Sequence, residues 1–178
     1  MIFIGLGSNL DGPWGTPREC LARALDALEN QRVTVVKSSR QYGSKAYGRA
    51  GVPDYVNSVV QIETFLTPSA LLYNLQRIER KASRKRGQRW GARTLDLDLL
   101  DWHGRICGPD KESGPIGGPG YRPLSLPHPG IVNRPFVILP LCEIAPRWHH
   151  PVSGETATQL AQRARLLRDG RILGAIDD

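Results

Sequence analysis

Apolar residues in the first third of the chain recur at two spacings, one typical of strands and the other of helices. A short apolar run over 2–5 ends in glycine and predicts a buried first strand. Thr16 and Pro17 then form a helix-start signal, and Glu19 stands where it completes a capping box. Behind this start, helical spacing is kept by Leu21, Ala24, Leu25 and Leu28. The pattern predicts a strand followed by an amphipathic helix that ends at about Asn30.

The same signals continue as far as residue 102. Apolar runs predict further strands over 33–36, 55–65 and 94–102, and a stretch with several glycines before residue 54 predicts a loop. Thr67 and Pro68 repeat the helix-start signal, and the core face behind them consists of Leu71, Leu75, Ile78 and Ala82. The order strand–helix–strand–strand–helix–strand predicts an α+β fold. Its ferredoxin-like βαββαβ core would be a mainly antiparallel sheet layered with helices.

The last third of the chain carries weaker signals. Residues 108–120 are rich in glycine and proline and predict a surface loop, which lacks the Gly-Lys-Ser/Thr of a phosphate-binding P-loop. Helical patterns follow over 134–144 and 155–168. Because no internal repeat is visible and 178 residues suit one domain of ordinary size, we predict a single domain over 1–178.

Composition and charge narrow the classes of protein to which the chain can belong. A hydrophobic share of 40% and a charged share of 23% are typical of a soluble globular protein. No apolar run approaches the ~20 residues needed to span a bilayer, and the N-terminus lacks the features of a signal peptide. The three cysteines lie far apart without metal-binding spacing, so we expect them to be reduced in the cytoplasm. The formal net charge of +7 favours an anionic partner, whether nucleic acid, nucleotide or phosphate.

Two aspartates interrupt the leucines of the strand predicted over 94–102. Side chains alternate along a strand, so Asp96 and Asp98 share one face, and the opposite face carries Leu95, Leu97 and Leu99. The two aspartate Cα atoms would lie about 7 Å apart, and paired oxygen ligands favour magnesium. The simpler alternative is a half-exposed strand with solvated carboxylates. Against it stand the cationic residues directly upstream, which can hold phosphate oxygens: Arg84, Lys85, Arg86, Arg89 and Arg93.

Several sequence blocks carry a resemblance to a known family. In chain order they are GSNL at 7–10, DYVN at 54–57, QRIE at 76–79, RWGARTLDLDLL at 89–100, LPHP at 126–129 and NRPF at 133–136. Together they resemble the ordered motifs of the 6-hydroxymethyl-7,8-dihydropterin pyrophosphokinases (HPPK) of folate biosynthesis, most strongly over residues 1–150. One dodecapeptide could mislead, but an ordered set of blocks rarely does.

The resemblance implies an enzyme that moves a diphosphate from ATP to the hydroxymethyl oxygen of the pterin and releases AMP. It implies two Mg²⁺ ions held by Asp96 and Asp98, and the sequence leaves open which aspartate would also accept the hydroxyl proton. The implied catalytic residues are Asp96, Asp98, Arg84 and Arg93. The implied ATP-binding residues are Gln76, Glu79, Arg84, Trp90, Arg93, Leu99, His128 and Arg134. The implied pterin-binding residues are Gly7, Ser44, Lys45, Tyr47, Tyr55, Asn57, Trp90 and Phe136. A monomer with no nucleic-acid or membrane partner is also implied.

The chain departs from the family pattern in places, and other functions stand as alternatives. Ser-Lys-Ala-Tyr-Gly at 44–48 replaces the usual Thr-x-Pro-x-Gly, Ala92 replaces a proline, and one residue is missing between Arg86 and Trp90. A dinucleotide-binding fold is disfavoured because Leu10 stands where its third glycine belongs. A metal-dependent nucleotidyltransferase would share the paired aspartates. An RNA-binding module would explain the charge, but it needs sheet aromatics in a motif that the sequence lacks.

Overall fold

Six strands and four helices follow one another along the part of the chain that the structure describes. The structure is a computed structural model, and it describes residues 1–46, 51–83, 93–108, 124–167 and 170–176. The strands are β1 (Ile2–Ser8), β2 (Val33–Ser38), β3 (Gln41–Ser44), β4 (Tyr55–Thr64), β5 (Asp96–Trp102) and β6 (Ile172–Ile176). The helices are α1 (Pro17–Glu29), α2 (Pro68–Lys81), α3 (Pro135–Ile144) and α4 (Ala157–Ala164).

The described strands form one antiparallel sheet in the order β5-β1-β4-β3-β6, and β2 pairs with the C-terminal half of β4. At its centre, Gly7 of β1 is the register partner of Asn57 on β4 and of Asp96 on β5. That register places Asn57 and Asp96 on the two sides of one glycine. The antiparallel sheet with its helices confirms the predicted α+β class.

Helices cover both faces of the sheet and enclose two apolar cores. On the first face, α1 and α2 bury most of the residues whose spacing predicted these helices: Leu21, Ala24, Leu28, Leu71, Leu75, Ile78 and Ala82. Leu25 is only partly buried. On the second face, α3 and α4 pack on the sheet through Val137, Ile138, Leu141, Ala157 and Leu160. Because β1 lies between the two cores, it is apolar or glycine at every position but its last.

Local capping accounts for where the helices begin. Thr16 caps α1 and exchanges hydrogen bonds with Glu19, while Thr67 caps α2. The helix predicted over 134–144 is confirmed as Pro135–Ile144. The prediction of a helix over 155–168 is too long, since α4 spans Ala157–Ala164. Leu166, just beyond its end, is 84% exposed and therefore gives the chain no apolar contact that would extend the helix.

Two short strands were not predicted. Gln41–Ser44 forms β3 within the stretch predicted as a loop, because Tyr42, Gly43 and Ser44 pair with the start of β4. Residues 172–176 form β6, which pairs with the other side of β3. Neither segment shows a clear alternation of polar and apolar residues, so only the pairing partners reveal them as strands.

Strand β5 carries an irregularity next to the two aspartates. Its register against β1 shifts between the pairs Phe3–Asp101 and Ile4–Leu99, which leaves Leu100 as an extra residue. Leu99 packs in the first core and Leu100 in the second, as alternation requires, and beyond the shift Trp102 packs in the first core as well. Within the described ranges, no helix combines the length and apolarity needed to cross a membrane. The loop predicted over 108–120 lies, apart from Gly108, outside the described residues.

Candidate active site

A cavity of about 450 Å³ opens on the face of the sheet that α3 covers, above two glycines of β1. Side chains of β1 on this face alternate as Phe3, Gly5 and Gly7. Phe3 is fully buried in the second core, whereas both glycines line the cavity. A Cβ atom on Gly7 would lie 3.2 Å from Asn57 Oδ1, closer than an ordinary van der Waals contact. The lack of a side chain at Gly5 and Gly7 therefore leaves room for the cavity.

One end of the cavity carries charged side chains, which we call the carboxylate end: Arg93, Asp96, Asp98, His128 and Arg134. The alternation predicted for β5 is confirmed, because both aspartates face the cavity while Leu95, Leu97 and Leu99 are buried in the first core. The aspartate side chains are about one-fifth exposed, at 20% and 22%. They are thus accessible to a ligand but shielded from bulk water.

Each aspartate at the carboxylate end has a cationic or hydrogen-bonding neighbour. Arg93 Nη1 donates to Asp96 Oδ2. Arg134 Nη1 lies 3.6 Å from Asp98 Oδ2, and His128 Nε2 lies 3.7 Å from the same oxygen. His128 Nδ1 accepts a hydrogen bond of 3.0 Å from the backbone N–H of Gly130, so the neutral ring carries its proton on Nε2. Arginine guanidinium groups beside paired carboxylates can bind a metal-bound phosphate with little rearrangement.

The other end of the cavity, which we call the aromatic end, is formed by Ser44, Tyr55, Asn57 and Phe136. Tyr55 and Asn57 are two residues apart on β4 and project to the same side, as predicted. Asn57 is only 4% exposed, and its Nδ2 donates a hydrogen bond of 2.8 Å to Ser44 Oγ. That bond holds the amide with its Oδ1 beside Gly7. Flat aromatic faces next to a fixed amide are suited to a planar heterocycle with paired hydrogen-bonding groups.

Most predicted site residues that the structure describes line this one cavity. They are Gly7, Ser44, Lys45, Tyr55, Asn57, Arg93, Asp96, Asp98, His128, Arg134 and Phe136. Lys45 also forms an ion pair of 2.9 Å with Asp54 near the cavity mouth. Tyr47, Arg84 and Trp90 lie outside the described residues. Their predicted roles stay predictions.

Gln76, Glu79 and Leu99 do not line the cavity among the described residues. Glu79 is buried, and its Oε1 accepts a hydrogen bond of 2.9 Å from the backbone N–H of Leu97. Leu99 is 4% exposed in the first core, and Gln76 is half-buried on α2. The hydrogen bond from Leu97 shows that Glu79 joins α2 to β5. The assignment of Glu79 to ATP stays a prediction.

Asn9 is a buried site-supporting residue that the sequence analysis did not single out. Its side chain donates 3.0 Å to the carbonyl of Pro53 and accepts 2.7 Å from the backbone N–H of Arg93. A backbone bond of 3.0 Å from Asn9 to the Arg93 carbonyl completes the contact. Asn9 therefore ties the segment before β5 to the segment before β4. The signal available in the sequence was its place in the GSNL block.

The fold and the cavity are typical of an α+β enzyme, with carboxylates and arginines at one end of the cavity and aromatic rings beside an amide at the other. The family described as 7,8-dihydro-6-hydroxymethylpterin-pyrophosphokinase (HPPK) matches residues 3–146, and the chain belongs to this family. The resemblance noted from the sequence blocks is thereby confirmed.

Two relatives agree with that placement, and a solved structure agrees with the fold. The 2-amino-4-hydroxy-6-hydroxymethyldihydropteridine pyrophosphokinase of Haemophilus influenzae is 44% identical over 144 residues, which cover 80% of each chain. The protein of the same name from Synechocystis is 37% identical over 161 residues, covering 90% of this chain and 74% of the relative. A crystal structure of an HPPK-DHPS in complex with substrates superposes with a TM-score of 0.70 at 12% identity. The superposition covers 91% of this chain and 42% of that longer chain. Because the identity is only 12%, the likeness bears on the fold alone.

Proposed function

We propose that the protein transfers the terminal diphosphate of ATP to the hydroxymethyl oxygen of 6-hydroxymethyl-7,8-dihydropterin, in folate biosynthesis. The products are AMP and the pterin diphosphate. Family membership and the names of the relatives support this activity. The structural observation that carries the proposal is a cavity that has both a carboxylate end and an aromatic end.

In the proposed reaction, the hydroxymethyl oxygen attacks the β-phosphorus of ATP and forms a new P–O bond. The bond from the β-phosphorus to the oxygen that bridges it to the α-phosphorus breaks, and AMP leaves with that electron pair. Asp96 or Asp98 takes the hydroxyl proton, and both line the cavity. Arg93, Arg134 and His128 Nε2 offset the negative charge on the transferring group.

Magnesium fits the donor set at the carboxylate end. Asp96 and Asp98 offer oxygen ligands only, and the described residues hold no group of three or more His, Cys, Asp or Glu that could bind a metal alone. Mg²⁺ commonly takes one or two carboxylates and completes its coordination with water and substrate phosphates. We propose that the two aspartates hold two such ions, which would neutralise phosphate charge when bound.

The aromatic end would hold the pterin. Tyr55 and Phe136 supply flat faces, and the amide of Asn57 reads the edge of the heterocycle with the support of Ser44. Gly7, Lys45 and the predicted residues Tyr47 and Trp90 complete the proposed substrate contacts. Gln76, Glu79, Arg84, Trp90 and Leu99 are the further residues proposed for ATP.

We also propose that the whole chain acts as one domain and as a monomer, in the cytoplasm, where its three free cysteines would stay reduced.

The test is a product assay with the purified chain, ATP, Mg²⁺ and hydroxymethyldihydropterin. Pterin-dependent release of AMP is the expected result, because diphosphate transfer leaves the α-phosphate on the nucleoside. Release of ADP would indicate single phosphoryl transfer and would contradict the proposal. Omission of the pterin is the control, and AMP release that persists without it would also contradict the proposal.

A further inference from the structure

Strand β3 and helix α3 are joined by a hydrogen-bonded group of three side chains, Arg40, Tyr42 and Glu143, which we call the clasp. The hydroxyl of Tyr42 donates 2.6 Å to Glu143 Oε2. The Arg40 side chain donates 3.2 Å from Nε to Glu143 Oε1, and its backbone N–H donates 3.3 Å to the same oxygen. Arg40 Nη2 also donates 3.2 Å to the Tyr42 hydroxyl. Both carboxylate oxygens of Glu143 are thereby engaged by the strand side.

Within the clasp, the bond between Tyr42 and Glu143 is the stronger element. The Arg40 side chain is 61% exposed, and exposed ion pairs contribute little because water screens them. The Glu143 side chain is 28% exposed, and a short hydroxyl–carboxylate bond is charge-assisted. Partial burial, together with the hydrogen bond to Glu143, raises the pKa of Tyr42. The phenol therefore keeps the proton that it donates.

The clasp lies next to the aromatic end of the cavity without being part of it. On β3, Tyr42 and Ser44 are two residues apart and project to the same side. On α3, Phe136 and Glu143 are seven residues apart, which is about two helical turns or 10 Å along one face. Ser44 and Phe136 line the cavity, and the described residues that line it do not include Arg40, Tyr42 or Glu143. Each element thus carries one clasp residue and one cavity residue on the same side.

Apolar packing holds α3 against the sheet. Val137, Ile138 and Leu141 bury the helix against Phe3 and Val59, but this attraction is non-directional. A short hydrogen bond, by contrast, fixes distance and direction at one point. The clasp supplies such a point on the side of α3 that faces β3.

We propose that Tyr42 and Glu143 are positioning residues for the pterin, because they set the separation between Ser44 on β3 and Phe136 on α3. The inference rests on the proposed function, since it assigns the aromatic end to the pterin. Neither residue touches the substrate. Their effect passes through the placement of the aromatic ring of Phe136 opposite Asn57 and Ser44.

The test compares Tyr42→Phe and Glu143→Gln with the parent chain in two calorimetric titrations. A nonhydrolysable ATP analogue with Mg²⁺ is titrated into the protein, and pterin is titrated into the protein saturated with that analogue. We expect Tyr42→Phe to raise the Kd for pterin about 5-fold to 20-fold and to change the Kd for the analogue less than about 2-fold. Glu143→Gln keeps an oxygen that can accept from Tyr42, so its loss should be smaller.

Glu155→Gln is the matched control, because Glu155 forms a comparable pair of 2.6 Å with Arg163 in a region that does not line the cavity. It should leave both dissociation constants unchanged. A purely structural role for the clasp predicts a lower Tm with equal changes for both ligands, and that result would overturn the proposal. So would an unchanged pterin Kd in both variants. If Tyr42→Phe proves unstable, Glu143→Gln decides alone.

Failure of the proposed function would look different from failure of the clasp. A parent chain that binds pterin but releases no AMP contradicts the activity, and the binding titrations still decide the clasp. A parent chain that does not bind pterin overturns both.

Discussion

At the carboxylate end of the cavity, oppositely charged side chains lie beside one another, whereas the side chains of the aromatic end are neutral, and the two ends meet where Arg134 lies 5.9 Å from the centre of the Phe136 ring. Arg93 is paired with Asp96, and Arg134 and His128 lie beside Asp98. Asn57 is fixed by the hydroxyl of Ser44. The difference has a consequence for ligand binding. Under the proposed function, phosphate and metal would meet charged side chains at one end, while the pterin would meet mainly neutral side chains at the other.

The largest expected effect follows from removing a carboxylate. We expect Asp96→Ala or Asp98→Ala to lower turnover by about 100-fold or more, because the metal-mediated neutralisation of phosphate charge would be lost. The fold should persist, since the opposite face of β5 packs in the first core unchanged. Steady-state AMP release measures the loss, and circular dichroism checks the fold. Asp26→Ala removes an exposed aspartate of α1 as a control. Substantial activity in a folded variant would contradict the role of the carboxylate end.

Removing an aromatic face should weaken the binding of one ligand far more than that of the other. We expect Tyr55→Ala or Phe136→Ala to weaken pterin binding about 10-fold or more, because stacking and burial are lost together. Binding of the ATP analogue should change much less. The two calorimetric titrations described for the clasp measure both effects. Phe65→Ala is the control, since Phe65 is fully exposed in the turn after β4. Equal losses for both ligands would mean that the two ends are not separate.

A smaller change tests the boundary between the ends. Gly7 is the register partner of both Asn57 and Asp96, and a Cβ there would lie 3.2 Å from Asn57 Oδ1. We expect Gly7→Ala to raise the Kd for pterin several-fold, roughly the effect of about 1 kcal/mol of steric displacement. Gly108→Ala is the control, because no atom of the residues that the structure describes lies within 4 Å of a Cβ at that position. A loss confined to the ATP analogue would place the pterin elsewhere.

The smallest expected effect concerns ionic strength. Raising the salt concentration from about 0.05 M to about 0.5 M should weaken binding of the ATP analogue several-fold, because partly exposed charges are screened. Pterin binding to the analogue-saturated protein should change less than about 2-fold, since its main proposed contacts, Tyr55, Asn57 and Phe136, are apolar or neutral. Titrations at both salt concentrations measure the contrast. Equal salt dependence for the two ligands would remove the distinction between a charged and a packed end.

Prediction from the sequence succeeded where the signal was local. The capping threonines and the apolar spacing of α1 and α2 lie within one turn or a few turns of the helices that they specify. Alternation along β4 and β5 likewise placed Tyr55 with Asn57 and Asp96 with Asp98. It failed for β3 and β6, which exist because β3 pairs with β4 and β6 pairs with β3. It also extended α4 past Ala164, where apolar contacts end.

By itself the sequence determined the central strands, the two helices on the first face of the sheet and the pairs of residues that share a strand face. These features follow from periodicity, which acts over a few residues. Only the tertiary structure decided that Arg134 and His128 lie beside Asp98. It also decided that Phe136 lines the same cavity as Tyr55 and Asn57, and that Glu143 accepts a hydrogen bond from Tyr42. Those contacts join residues about 30 to 100 positions apart in the chain. No local pattern encodes such distances, because they depend on how strands pair and on where helices settle over the sheet.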